Sequence, residues 1–410
     1  MNWPSNSPKV SDKVWNDWQR RFADSDRAAG FQVTRDFQPF NQMNDMFTRA
    51  FWDPSVRTDD TDQFFASYRM ESAPRRGEGF SQRDFALRNA SWIVSDIISN
   101  RGTEKGLREG FQAAIENDTP VADQQVDLGP SNEEAAEIKR IARLFGADLV
   151  GITEIDERWH YTHRPDMRDL SAVPNTLPTG LSHVIVMGHA MDFDLVETYP
   201  SALAGVSTGR EYSHEAAICI QLAAYIRNLG FQAVASMNDT ALVIPYAIKA
   251  GLGEYGRNQM VLTREYGPRV RFSKVFTDMP LDSDEIRELG IASYCKSCTK
   301  CATACPPKAL PFDGPTPAGD SPSTLRGVTK WSANCEACFG YWAKIKTDCA
   351  ICMRVCPFNR KYDRIMDRVW RWLATGLGRK LAVKWDIRRG KRERLRPRDW
   401  WAKMRGTEQQ

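Results

Sequence analysis

Long apolar runs are missing from this 410-residue chain. Nothing approaches the roughly 20 consecutive apolar residues of a membrane-spanning helix, which excludes that class from the reading. A charged-then-apolar leader is missing too. Arg20-Arg21-Phe22 has the form of a twin-arginine signal, but the Ala-Asp-Ser-Asp-Arg27 that follows is polar and reads as the surface of an ordinary helix. Histidine is sparse: the five residues all lie between His160 and His214, none in His-Glu-x-x-His spacing, and they read as a mixture of surface and core side chains. No internal repeat is visible. Before Cys295 there is a single cysteine, Cys219, which sits in a helical run with Ala216, Ile220 and Ala223 and reads as a small buried hydrophobe. With 42% hydrophobic residues and a formal charge of +4, the balance is that of a globular protein long enough for two or more domains.

What is present falls into four stretches. Residues 1–130 are polar and loop-rich, with Trp3, Trp15, Trp18, Trp52 and Trp92 scattered among Asp, Arg and Asn, and read as a cover that contributes to a substrate pocket. Residues 131–290 alternate. Glu133 to Phe145 predicts an amphipathic helix, Ala147 to Thr153 a strand, and Ser182 to Met187 a buried strand. Ser213 to Leu229 predicts a helix with Ser213 as N-cap, Glu215 in the first turn and Gly230 as the stop. Such alternation indicates an α/β or α+β domain. Residues 291–360 hold nearly all the cysteine, and residues 361–410 form a basic tail. From Phe358 onward 17 Lys and Arg stand against 6 Asp and Glu, interleaved with Trp370, Trp372, Trp385, Trp400 and Trp401. A tail of this kind either offers an amphipathic surface to an acidic partner or lipid headgroups, or packs its tryptophans onto the body.

Nine of the ten cysteines lie between Cys295 and Cys356. Cys295-x2-Cys298-x2-Cys301-x3-Cys305-Pro306 is the bacterial ferredoxin run, in which closely spaced thiolates wrap one iron-sulfur cube and the fourth reaches a second. Cys349-x2-Cys352-x3-Cys356-Pro357 repeats its latter half. By the two-fold logic of such modules, Cys356 completes a 4Fe-4S cluster with Cys295, Cys298 and Cys301, while Cys305, Cys349 and Cys352 hold a second. The eighth ligand is Cys335 or Cys338, with Cys338 favoured because the run Cys338-Phe-Gly-Tyr-Trp342 leads into the second motif. Isolated tetrahedral zinc sites do not account for two Cys-Pro endings and a four-cysteine run. Gly251-x-Gly253-x-x-Gly256 matches the dinucleotide spacing, but it follows the helical-looking Tyr246 to Ala250 instead of a strand. These glycines read as a tight turn that lets backbone approach closely.

Iron-sulfur cubes relay single electrons and do no bond chemistry alone, so the residues before them must hold another cofactor or a docking partner. Glu157-Arg-Trp159, Gly209-Arg-Glu-Tyr212-Ser213, Ala250-Gly-Leu-Gly-Glu-Tyr-Gly-Arg257-Asn258, Gly267-Pro-Arg-Val-Arg271 and Thr277-Asp-Met-Pro-Leu281, with both cysteine motifs, resemble the cobalamin-dependent reductive dehalogenases. The resemblance spans about residues 130–360, in order. It implies a nitroreductase-like cobalamin-binding core of α+β or α/β class, joined to a ferredoxin-like module with two 4Fe-4S clusters. It places Gly251, Gly253, Gly256, Arg257 and Asn258 near a base-off corrinoid, in agreement with the lack of the Asp-x-His-x-x-Gly signature of histidine-ligated cobalamin. It also makes Tyr212 the proton donor, assisted by Arg271 and Asn238, for a Co(I) centre that attacks the halogen. A phenol is protonated at neutral pH, and a guanidinium beside it stabilises the phenolate left behind. Asn238 can orient the phenol or hold the departing halide through its amide N–H groups.

The implied substrate is a small organohalide, such as a chlorinated alkane or alkene. The implied partners are a small membrane-anchor subunit, with the basic tail as its docking surface, and a low-potential electron donor; a homo-oligomer is compatible, and no nucleic acid is expected. Respiratory members carry a twin-arginine leader, so the expectation is a trimmed form at the outer face of the cytoplasmic membrane, with the cytoplasm as the alternative. Two other readings remain: an epoxyqueuosine reductase-like enzyme acting on tRNA, which would use an acidic proton donor, and a plain two-cluster electron carrier.

Overall fold

Apolar residues run almost unbroken through His183–Ala190, the pattern of a strand buried on both faces, and the structure uses it so. The computed structural model describes residues 10–69, 77–319, 321–390 and 392–406; Trp3 lies outside them. Four strands form one sheet in the spatial order Leu149–Glu154, His183–Ala190, Val270–Thr277, Ala233–Ser236. Every pairing is antiparallel, which places the domain in the α+β class. The register sets Ile152 opposite Ile185, Ile185 opposite Val275, and His189 opposite Arg271.

Alternation along these strands divides the core in two. Ile152, Ile185, Met187 and Val275 pack against the helix Gly205–Asn228, with the helices Ser131–Leu144 and Gln82–Asn100 around it. Val184, Val186, Phe272 and Phe276 face the other way, toward Trp159 and the helix Val243–Lys249. The N-terminal stretch is more than a cover. Trp18 and Phe22 of the helix Asp12–Ala28 belong to this second core, and Arg158 pairs with Asp26 at 2.7 Å and Asp156 at 2.6 Å, with Lys249 bridging the same two carboxylates. A buried charge cluster of this kind holds only when each member is paired, and removing one partner is costly.

Gly205–Asn228 begins eight residues before the expected start, so Ser213 is not an N-cap and Glu215 is not in a first turn. The hydroxyl of Ser213 instead donates to the Ser91 carbonyl and accepts from the Ser95 amide of the neighbouring helix. Glycine in the added turns argues against helix by propensity, but packing overrides it. A Cβ at Gly209 would stand 2.3 Å from Trp92 Cδ1, so only glycine lets the Gln82–Asn100 helix approach here.

Beyond the sheet, the short helices Lys300–Ala304 and Ile351–Arg354 each carry the closing half of a cysteine motif and pack together, with Cys335–Ile345 beside them. The tail forms three helices, Ile365–Thr375, Arg379–Arg388 and Pro397–Met404. It takes both expected forms at once: Trp370 and Trp400 are buried against the body, while Trp372 and Trp385 are exposed.

Candidate functional site

Cys295, Cys298, Cys301 and Cys356 line one small cavity with Arg257, Asn258, Leu262, Tyr294 and Phe358. Burial pushes the Cys295 and Cys301 thiols up to about 12, and neighbouring thiols push further. Four buried sulfurs that oppose one another's ionisation call for a cationic centre that turns them into thiolates, and an iron-sulfur cube meets that demand. Among the described residues no three His, Cys, Asp or Glu side chains converge on a single-ion site.

A second group forms around Cys305. Burial raises Cys338, Cys349 and Cys352 first; Cys305 and then Cys335 raise Cys338 further, while Cys338 and Cys305 act on both Cys349 and Cys352. Cys335 turns elsewhere: its sulfur approaches the Ala333 carbonyl at 3.6 Å and the Ser323 carbonyl at 4.0 Å, and its charged neighbours are Lys330, Glu336 and Arg49. This geometry favours Cys338 over Cys335 as the fourth member.

The glycine loop braces the first group. Cβ atoms at Gly251, Gly253 and Gly256 would stand 2.4 Å from the Glu285 carbonyl, 2.6 Å from the Leu262 carbonyl and 2.2 Å from Leu262 Cδ1. The close approach these glycines allow is therefore made by the chain itself. Buried Arg257 donates to the carbonyls of Cys295, Cys298, Lys296, Pro311, Phe312 and Asp313, tying the first cysteine loop to the segment after it. Asn258 contacts the sulfur of Met260 through its amide at 3.7 Å.

Tyr212, Asn238 and Arg271 come together from a helix, a loop and a strand. The amide nitrogen of Asn238 donates to the phenol oxygen of Tyr212 at 2.6 Å. The guanidinium carbon of Arg271 lies 3.6 Å from the ring centroid, and Trp92 and Phe111 stack on the same ring at 4.6 and 5.2 Å. Burial pushes the phenol up from its ordinary value, while Arg271 and the Asn238 amide pull it down. Because Asn238 donates, the phenol's own proton is not committed to it, and the same N–H would stabilise a phenolate.

Supporting contacts fix this arrangement. Lys274 Nζ donates to the carbonyls of Met237 and Asp239 on either side of Asn238, and the Tyr161 hydroxyl donates to the carbonyl of Asn238 itself. Glu215 is fully buried, and its Oε1 lies 3.7 Å from Arg271 Nε. Neither of its oxygens has a hydrogen-bond partner, and burial pushes the carboxyl up to about 7 despite the guanidinium. The sequence reading missed Glu215 by assigning it to a helix start; its spacing of three from Tyr212 inside one helix was the available signal. Trp92 was visible as a tryptophan, but its stacking depends on the Gly209 crossing.

A cavity of about 630 Å³ lies on the second-core side of the sheet, bordered by Phe40, Trp159, Ile248, Tyr255 and Trp331 among others; Tyr212, Asn238 and Arg271 do not border it. Phe40 lies 6.0 Å from Tyr161, which bonds to Asn238, and the Tyr255 hydroxyl donates to the Trp331 carbonyl. Arg27, Arg287, Glu288, Lys296 and Lys330 add charge to its rim, and Glu254, Tyr255 and Gln259 of the glycine loop border it, whereas the three glycines do not. A second cavity of similar size is polar and opens beside Cys356, away from Tyr212.

No family model matches the chain. It is 35% identical over 269 residues to a tetrachloroethene reductive dehalogenase of Desulfitobacterium hafniense, covering 56% of this chain and 49% of that one. To the tetrachloroethene reductive dehalogenase of Sulfurospirillum multivorans it is 32% identical over 261 residues, 58% of this chain and 52% of the relative. An epoxyqueuosine reductase of Gloeobacter violaceus is 28% identical over 258 residues, 56% of this chain and 77% of its own length. The chain thus spans about half the length of the dehalogenases it matches. In structure it resembles a catabolic reductive dehalogenase with a TM-score of 0.67 and 22% identity, over 88% of this chain and 48% of that one.

Proposed function

We propose that the chain belongs to the reductive dehalogenase family and removes halide from a small organohalide with two electrons and one proton. The observation that carries the reading is the phenol of Tyr212, which accepts from Asn238 at 2.6 Å and lies under the Arg271 guanidinium at 3.6 Å. In balance, one carbon–halogen bond breaks, a carbon–hydrogen bond forms, halide leaves, and an external low-potential donor is oxidised by two electrons.

A solved relative bears the description of B12-dependent dehalogenation, and another holds 3-bromo-4-hydroxybenzoic acid. Cobalamin, when bound, supplies the low-potential cobalt that cleaves the carbon–halogen bond. The residues of this chain do the rest. Tyr212 holds the proton, Arg271 and Asn238 stabilise the phenolate after its release, and Trp92 and Phe111 fix the ring. The two cysteine groups hold two 4Fe-4S clusters, Cys295, Cys298, Cys301 and Cys356 around one and Cys305, Cys338, Cys349 and Cys352 around the other. A chlorinated alkane or alkene suits the aromatic surroundings of Tyr212, and a peripheral position at the outer face of the cytoplasmic membrane, with a small anchor subunit and a low-potential donor, completes the proposal.

The epoxyqueuosine reductase match covers more of its relative, but the donor expected for that chemistry is a carboxylate and the group held here is a phenol. Anaerobic turnover of trichloroethene with reduced viologen, read as chloride release, tests the assignment. No chloride from a cobalamin- and iron-loaded protein, across alkyl, vinyl and aryl halides, would contradict it.

A further inference from the structure

We propose that the hairpin of helices Ile365–Thr375 and Arg379–Arg388 is a lipid-binding wedge that seats the chain on an anionic bilayer. This deepens the membrane-side part of the reading above and is independent of the chemistry at Tyr212, so the two can fail separately.

Each helix has two apolar faces, and only one is covered. Trp370, Ala374, Ala382 and Val383 are buried toward Tyr294 and Phe358. The opposite side exposes Ile365 by 74%, Met366 by 75%, Trp372 by 74%, Leu381 by 70% and Trp385 by 53%, with Leu377 fully exposed at the turn between the helices. Ile365 and Trp372, and Leu381 and Trp385, recur at helical spacing, and the helices pack on each other, so the two stripes adjoin. A soluble monomer rarely leaves such a patch in water.

The hairpin cannot turn this face inward. Asp386 accepts from the Tyr294 hydroxyl at 2.5 Å and Trp370 Nε1 at 3.0 Å through one oxygen, and its carbonyl accepts from Lys300 at 2.7 Å. These bonds fasten the buried face to the first cysteine loop. Around the apolar stripe Arg364, Arg368, Lys380, Lys384, Arg388 and Arg389 are all exposed. Cations flanking tryptophan and leucine are complementary to anionic headgroups over acyl chains. The form is convex, with Leu377 outermost, which a fluid interface accommodates at any point, whereas a protein would need a matching groove. Seated this way, the cysteine group at Cys295 lies nearest the bilayer, because Tyr294 belongs to the hairpin's buried face.

The test uses the full loaded chain with vesicles of phosphatidylcholine alone or mixed with phosphatidylglycerol, read by co-sedimentation and by quenching of tryptophan emission with brominated lipid. Binding is expected on the anionic vesicles, stronger by about tenfold than on neutral ones and weakened by salt. Leu377→Ser with Leu381→Ser should reduce it about tenfold while leaving halide release from soluble substrate unchanged. Lys380→Glu with Lys384→Glu should remove the preference for anionic lipid. The substituted side chains are exposed, and a separate Trp372→Ser variant with unaltered melting keeps the test clear of misfolding. Absence of binding to either vesicle would overturn the proposal. So would anionic binding that the leucine substitutions leave intact, a self-associated chain that buries the hairpin, or binding only to membranes carrying a specific protein.

Discussion

The phenol of Tyr212 keeps its proton at neutral pH because burial opposes the phenolate, and it can surrender that proton because Arg271 and Asn238 favour the anion. Tyr212→Phe preserves the stacking on Trp92 and Phe111 but removes the proton, so halide release should fall by about 10²- to 10⁴-fold with cofactor content unchanged. Asn238→Ala leaves the phenol without its amide donor and should cost about 10²-fold in kcat, with a smaller change in KM. Glu215 makes a different claim. Its carboxyl is raised to about 7 from an ordinary 4.5, so the folded state holds this proton more tightly than the unfolded chain, and the stability it contributes is lost as pH rises through that window. Glu215→Gln removes the effect. Its stability relative to the parent should improve by on the order of 3 kcal/mol between about pH 5 and about pH 8 in denaturant unfolding, and a constant difference would contradict the linkage. Tyr212, Asn238 and Arg271 were legible because their resemblance is carried by short motifs, whereas Glu215 and Trp92 act through a helix crossing that no local pattern records.

Among the elements, the long helix Gly205–Asn228 shows where reading a sequence stops. Ser213 read as an N-cap suggested a later start, yet the helix runs through Gly209, whose lack of a side chain is what admits Trp92 to the tyrosine ring. Gly209→Ala forces that contact apart and should destabilise the chain by about 1–3 kcal/mol, with loss of the Trp92 stacking visible as a change in tryptophan emission. The strands Leu149–Glu154 and His183–Ala190 were legible from their apolar runs, while their antiparallel order was not, because register is set by pairings between distant segments. The cysteine loops yielded most. Cys338→Ser should remove about half the iron and Cys335→Ser none of it, as iron and acid-labile sulfide analysis would show. Equal losses in the two variants would contradict the grouping of Cys338 with Cys305, Cys349 and Cys352.

Across the whole molecule, the buried acid and the second cysteine motif are electrostatically coupled, since Asp348, next to Cys349, is among the charges that raise Arg271 beside Tyr212. The N-terminal stretch was read as a cover from its polarity, but the Arg158, Asp26, Asp156 and Lys249 cluster locks it into the second core. Trp18 therefore packs in the core of the domain. The charge asymmetry of the tail was visible from composition, while the division of its tryptophans between body and water was not, since both faces of the hairpin carry apolar residues.

One measurement tests the central claim most directly: anaerobic chloride release from trichloroethene by the parent and Tyr212→Phe, each reconstituted with cobalamin, iron and sulfide and assayed for bound metal. The account predicts one cobalt and about eight irons in both proteins, chloride from the parent, and a loss of at least about 10²-fold in the variant. Equal chloride release by the two proteins at equal metal content would contradict the role of Tyr212, and about eight irons without any cobalt would contradict the cobalamin chemistry proposed for the chain.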